Sequence, residues 1–138
     1  MKRLSNWGFP RLILAVLALV LILFSGANAF EAQTSNKNMV RVDVKPIQLT
    51  AGEKAIFQVS LNTHSVDLSY DMEEVCILQD NEGRVYNVSK WKGSSPGGHH
   101  RRGTLEFPAL EGNPRSIKLI LKGIGDVPER FFEWTIGG

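Results

Sequence analysis

From Val40 onward the apolar residues fall on alternate positions, and this period of two constrains the fold more than any other feature of the chain. Val40, Val42 and Val44 alternate with Arg41, Asp43 and Lys45. Successive side chains of an extended strand point to opposite faces, so the pattern predicts a strand buried on one side and closed by Pro46. Ala55, Phe57, Val59 and Leu61 form a second such face after the Ala51-Gly52-Glu53 turn. Val66-Asp67-Leu68-Ser69-Tyr70 reads as a third. Residues 75–79 are more continuously apolar, and Asp80-Asn81-Glu82-Gly83 turns the chain into residues 85–88, which predicts a hairpin. Residues 104–107, residues 117–121 and the Phe132, Trp134, Ile136 set complete the series, with no helical period of useful length.

Seven to eight short strands separated by turn signals predict an all-β, antiparallel sandwich of immunoglobulin-like layout over residues 39–138. A small closed barrel shares the same period. An antibody-type domain is excluded because there is no Cys…Trp…Cys framework. Residues 30–38 are polar and without period, and are expected to form a flexible leader.

The amino terminus has a different character. Lys2, Arg3 and Arg11 precede a wholly apolar run at residues 12–24, followed by Ser25-Gly26-Ala27-Asn28-Ala29. Basic end, apolar centre and small residues ending in Ala-x-Ala make a secretory signal peptide over residues 1–29. The run is shorter than the roughly 20 residues that span a bilayer core, so cleavage after Ala29 is the leading expectation. An uncleaved anchor is the alternative, and in either case the remainder is exported: periplasmic, secreted, or held on the outer face of the cytoplasmic membrane.

Export changes how the rest is read. From Phe30 on, the chain carries 13 basic and 14 acidic residues, so the basic balance of the whole belongs to the signal. A nucleic-acid surface is not indicated, and membrane contact is expected only through an uncleaved amino terminus. Cys76 is the one cysteine, so the domain has no internal disulfide. Its apolar neighbours Val75, Ile77 and Leu78 predict a buried, inert thiol.

Several stretches carry a resemblance: Thr63-His64-Ser65-Val66-Asp67-Leu68 with Tyr70-Asp71, Trp91-Lys92-Gly93, Gly97-Gly98-His99-His100-Arg101, and Glu129-Arg130-Phe131-Phe132-Glu133-Trp134. With these the chain resembles a group of uncharacterised exported bacterial and archaeal proteins with immunoglobulin-like β-sandwich folds. The resemblance implies a fold and a location, and carries no activity with it.

Candidate chemistry lies in the glycine-rich loop at residues 92–103 and in the strand end at His64. Neutral imidazoles ligate copper or zinc, and carboxylates can complete a shell, so His64, His99, His100, Asp67 and Asp71 are the expected metal set. Neighbouring histidines of a strand diverge, so His99 and His100 share an ion only if Gly97-Gly98 lets the loop curl. No Cys or Met follows His100, which excludes a blue-copper pattern. Arg101 and Arg102, with Trp91 as an aromatic platform, form the alternative site for an anion or a partner. No Gly-x-Ser-x-Gly turn or nucleophile–base pattern occurs, so a hydrolase is not expected.

The expected function is a non-catalytic binding or interaction module outside the cytoplasm, acting on a protein or small ligand. Its working face is placed at His64 and the 92–103 loop. The competing expectation is an envelope or assembly component whose His/Arg loop only pins the fold.

Overall fold

The computed structural model describes residues 30–137, so the signal peptide expected at residues 1–29 lies outside the described residues. The described chain is nearly all-β and forms two antiparallel sheets. Nine strands occur among the described residues: β1 (Gln33–Lys37), β2 (Val40–Gln48), β3 (Lys54–Thr63), β4 (Cys76–Asp80), β5 (Val85–Asn87), β6 (Lys90–Gly93), β7 (His100–Ala109), β8 (Ser116–Lys122) and β9 (Glu129–Thr135). One sheet has the order β1-β2-β3-β7-β6, the other β5-β4-β8-β9. A single helical turn, α1 (Met72–Val75), leads into β4. No described helix is long and apolar enough to cross a membrane.

The alternating faces meet in one core. Val42, Val44, Phe57, Val59, Leu61, Leu105 and Phe107 come from the larger sheet, and Leu78, Ile117, Leu119, Phe132 and Trp134 from the smaller. Burying each large apolar side chain contributes about 1.5–3 kcal/mol against the entropy of ordering the chain. Phe57 joins the two sheets, its ring centroid 5.5 Å from that of Trp134 and 5.8 Å from that of Phe107. Cys76 sits in this core, free and 1% exposed. Burial pushes its thiol up to about 12, against a smaller opposing effect of Arg101. The thiol stays protonated and unreactive at neutral pH.

Four expectations about local structure are corrected. Gln33–Lys37, expected as part of a flexible leader, is a strand in register with β2 from Gln33↔Val44 to Lys37↔Val40. Its two-residue connection, Asn38 (φ 48°) and Met39 (φ 63°), has positive φ at both positions, as a type I′ hairpin turn requires. Asn-Gly would have announced that turn, and Asn-Met does not. At the start of β1 and just before it, Trp134 Nε1 donates to Glu31 O (2.8 Å), and the Gln33 side-chain amide both donates to Glu133 O and accepts from Glu133 N. Gln33 thereby occupies part of the outer edge of β9.

Residues 66–70 are not a strand. Leu68 is buried, but its N–H donates to Gly98 O (2.9 Å) and its C=O accepts from Gly97 N (2.9 Å), so its backbone is spent on the loop. The alternation there reflects one anchored leucine.

The expected long loop is also shorter. β6 runs to Gly93 and β7 starts at His100, leaving residues 94–99 as the connection. β2 continues past Pro46 through a bulge between Pro46 and Gln48, which accommodates the missing N–H of proline.

Candidate functional site

Register sets the site. In the larger sheet Asn36 pairs with Arg41, Arg41 with Asn62, and Asn62 with His100. These four residues form one row across β1, β2, β3 and β7 on the face turned away from the core. The neighbouring inward row is Val42, Leu61 and Arg101. Because β7 is extended from His100 on, His100 and Arg101 face opposite ways, and the basic tetrad at residues 99–102 is divided by the sheet.

The outward row floors an open cleft of about 420 Å³, with Met39, Thr63, His64 and Ser65 forming its end. His64, Ser65 and His100 are exposed there. Nδ1 of His100 lies 2.9 Å from Oδ1 of Asn62. An amide oxygen only accepts, so this contact forms with the proton on Nδ1, the tautomer that in a neutral ring leaves the Nε2 lone pair free. Arg41 is chelated by Asp43, with Nε at 2.9 Å and Nη2 at 3.0 Å from the carboxylate oxygens. Hydrogen bonding raises Arg41 and holds the Asp43 carboxyl below its usual range. The pair is nearly neutral as seen from the cleft.

Met39 reaches the cleft from the β1–β2 turn. It is 70% exposed, the largest exposure among the large apolar side chains of the described residues. Its Sδ accepts from Ser65 Oγ at 3.4 Å, which draws the thioether to the bend that carries His64.

Two buried arginines hold the segments around the cleft. Arg130, 1% exposed, donates through Nη1 to Val40 O (3.0 Å) and Ser35 O (3.1 Å) and through Nη2 to Lys37 O (2.9 Å) and Ile124 O (3.0 Å). It thus clamps both sides of the Asn38–Met39 turn. Arg101, 2% exposed, donates to Leu68 O (3.1 Å), Tyr70 O and Ser94 O (3.1 Å), tying residues 68–70 to the 94–99 connection. Burial lowers the pKa of both guanidiniums. Their charge is met mainly by carbonyl dipoles, as buried polar groups require.

The expected metal set is not assembled. Among the described residues no three His, Cys, Asp or Glu side chains gather to hold an ion. His64 and His100 do share the cleft, but His99 is not part of its lining. The His99 backbone carbonyl accepts from Thr63 N (3.0 Å). Asp67 Oδ1 accepts from Gly98 N (3.0 Å), and Asp71 caps α1 by accepting from Glu73 N (2.9 Å). One oxygen of each carboxylate is engaged by a backbone N–H of a loop or helix start, local geometry that extended-chain reasoning could not supply.

The expected anion or partner set also divides. Arg101 is turned into the protein, while Arg102 is exposed on β7. Trp91 is half-buried: Nε1 donates to Ser94 O (3.0 Å), and Arg101 Cζ stands 5.8 Å from the ring centroid. Its ring covers the Gly93↔Gly103 pair, where a methyl on Gly103 would come within 2.7 Å of it. Trp91 is therefore packed on its own sheet rather than offered as a platform.

Sequence reasoning missed Met39, Asn62, Asn36 and Arg41. Arg41 and Asn62 were accessible in principle, as outward positions of the period-two pattern, whereas Asn36 lies in the stretch without period. Met39 gave no signal beyond being apolar in a polar stretch.

No family model, no curated protein and no solved structure matches this chain.

Proposed function

We propose that the chain is an exported, non-catalytic binding module on an immunoglobulin-like β-sandwich, with its ligand face at the His64 end of the larger sheet. The observation that carries this reading is that two imidazoles, from β7 and from the bend after β3, line one exposed cleft beside amide and hydroxyl groups. The side chains nearby that serve the fold are others: Arg101, Asp67 and Trp91 pin the loop, so the pinning role and the binding role fall on different residues. Two sheets sharing one core, with β3 beside β7 and β4 beside β8, support the sandwich. The Lys/Arg, apolar and Ala-x-Ala layout of residues 1–29 supports export.

Imidazole is the cleft's chief chemistry, so a transition metal is the ligand class it suits. The test is thermal unfolding of the full chain with zinc(II), nickel(II) or copper(II). One of these ions at about 100 times its dissociation constant should stabilise the fold by roughly 2.7 kcal/mol. The His64→Ala, His100→Ala double variant should keep the metal-free stability and lose that gain. A chain whose melting none of the three ions moves, or a double variant that keeps the gain, contradicts the reading.

A further inference from the structure

The turn that carries Met39 is built against its own preference. Asn38 and Met39 both take positive φ. The left-handed conformation is disfavoured for most residues with a side chain, and glycine is the usual occupant of the second turn position. A glycine there would relieve the backbone and remove a 70% exposed thioether from the surface. Methionine instead stands at the cleft with its sulfur held by Ser65 Oγ. Arg130 fixes the turn from beneath through Lys37 O and Val40 O. Backbone strain at an exposed, doubly anchored residue is a common mark of a working position.

The donors around that sulfur have a definite character. His100 presents Nε2, its ring oriented through Nδ1 by Asn62, the arrangement a metal-bound histidine ordinarily has. His64 lies at the same end, next to Ser65. No carboxylate lines the cleft, so a hard cation such as calcium or magnesium finds no charged oxygen there. The Ser65 hydroxyl uses one lone pair of the Met39 sulfur and leaves the other. Arg41 at the rim is paired with Asp43, so the cleft's donors are neutral sulfur and nitrogen and offer no anionic charge that would favour a divalent ion. Thioether with imidazole is the donor combination that selects copper(I) among the biological metals.

We infer that Met39, His64 and His100 form a site for monovalent copper, with Met39 as the ligand that selects it and Asn62 as the residue that positions His100. This rests on the proposed ligand face and goes further by naming the ion and its oxidation state. Binding is a ligation only, with no electron transferred and no bond in the chain broken.

The experiment uses the full chain with Cys76→Ala, so that no thiol competes, titrated without oxygen against a chromophoric copper(I) chelator and, separately, with zinc(II). The chain should take up copper(I), and Met39→Leu should weaken that uptake by about tenfold or more while leaving zinc(II) affinity unchanged. Leucine keeps the same backbone demand at φ 63°, so a folding defect does not confuse the result. Silver(I), a redox-inert stand-in, should shift the Met39 methyl resonance. If Met39→Leu leaves copper(I) affinity intact while His64→Ala or His100→Ala lowers it, the site is imidazole alone. The copper(I) inference then fails and the ligand face stands. If the unsubstituted chain takes up neither ion, both fail.

Discussion

Nδ1 of His100 stands 2.9 Å from Oδ1 of Asn62, its cross-strand partner on the outward face of the larger sheet. This contact connects register to chemistry. A one-residue slip between β3 and β7 would exchange His100 for Arg101 on the outer face. Asn62→Leu should therefore weaken metal binding about 10- to 100-fold by freeing the ring, with stability changed by no more than about 0.5 kcal/mol. Paired titration and denaturant melts check both halves.

Met39→Gly should separate stability from binding. Glycine accepts φ 63° without strain, so unfolding should become harder by about 1 kcal/mol. The same change removes the thioether, and copper(I) uptake should drop. Urea melts and the chelator competition, run on one preparation, measure the two effects.

The outward row and the core faces were legible in the sequence because both follow from period two: Val42, Val44, Phe57 and Leu61 inward, Arg41 and Asn62 outward. What stayed hidden was set by contacts distant in sequence. The Asn38–Met39 turn depends on Arg130, some 90 residues away, and the strand status of Gln33–Lys37 depends on that turn. Residues 66–70 alternate like a strand, yet Gly97, Gly98 and Arg101 take the backbone groups of Leu68. The His-His-Arg-Arg run looked like one cluster because composition does not reveal where β7 begins. Once it begins at His100, adjacent basic residues belong to opposite faces.

Arg130→Met should cost about 3 kcal/mol or more, since it strips the guanidinium donors from Ser35 O, Lys37 O and Val40 O and leaves Ile124 O with only Val127 N at 3.3 Å. Arg130→Lys should recover only part of this, because an ammonium cannot reproduce the guanidinium fork that serves four carbonyls. Equilibrium denaturation of both variants gives the comparison.

Gly103→Ala should destabilise by roughly 1–3 kcal/mol. The added methyl would meet Lys92 O at 2.6 Å and the Trp91 ring at 2.7 Å, both fixed by the β6–β7 ladder. A melting point equal to that of the parent chain would show that Trp91 is not packed on this pair.

Acid should unfold the domain partly through Asp80. Burial alone would raise this carboxyl, but the backbone N–H groups of Arg84 and Glu82, the Tyr86 hydroxyl and the Arg84 side chain outweigh it and hold the pKa below the usual value. A folded pKa below the unfolded one means the stabilisation is complete above about pH 4 and is lost as pH falls through the lower folded value. Asp80→Asn should flatten that acid limb of the stability–pH curve while lowering stability at neutral pH.

The most direct test is X-ray absorption on the copper(I)-loaded Cys76→Ala chain. A sulfur scatterer beside imidazole nitrogens, lost in Met39→Leu, is the predicted spectrum. A shell of nitrogen and oxygen alone, or a sulfur that survives Met39→Leu, would contradict the assignment of this cleft.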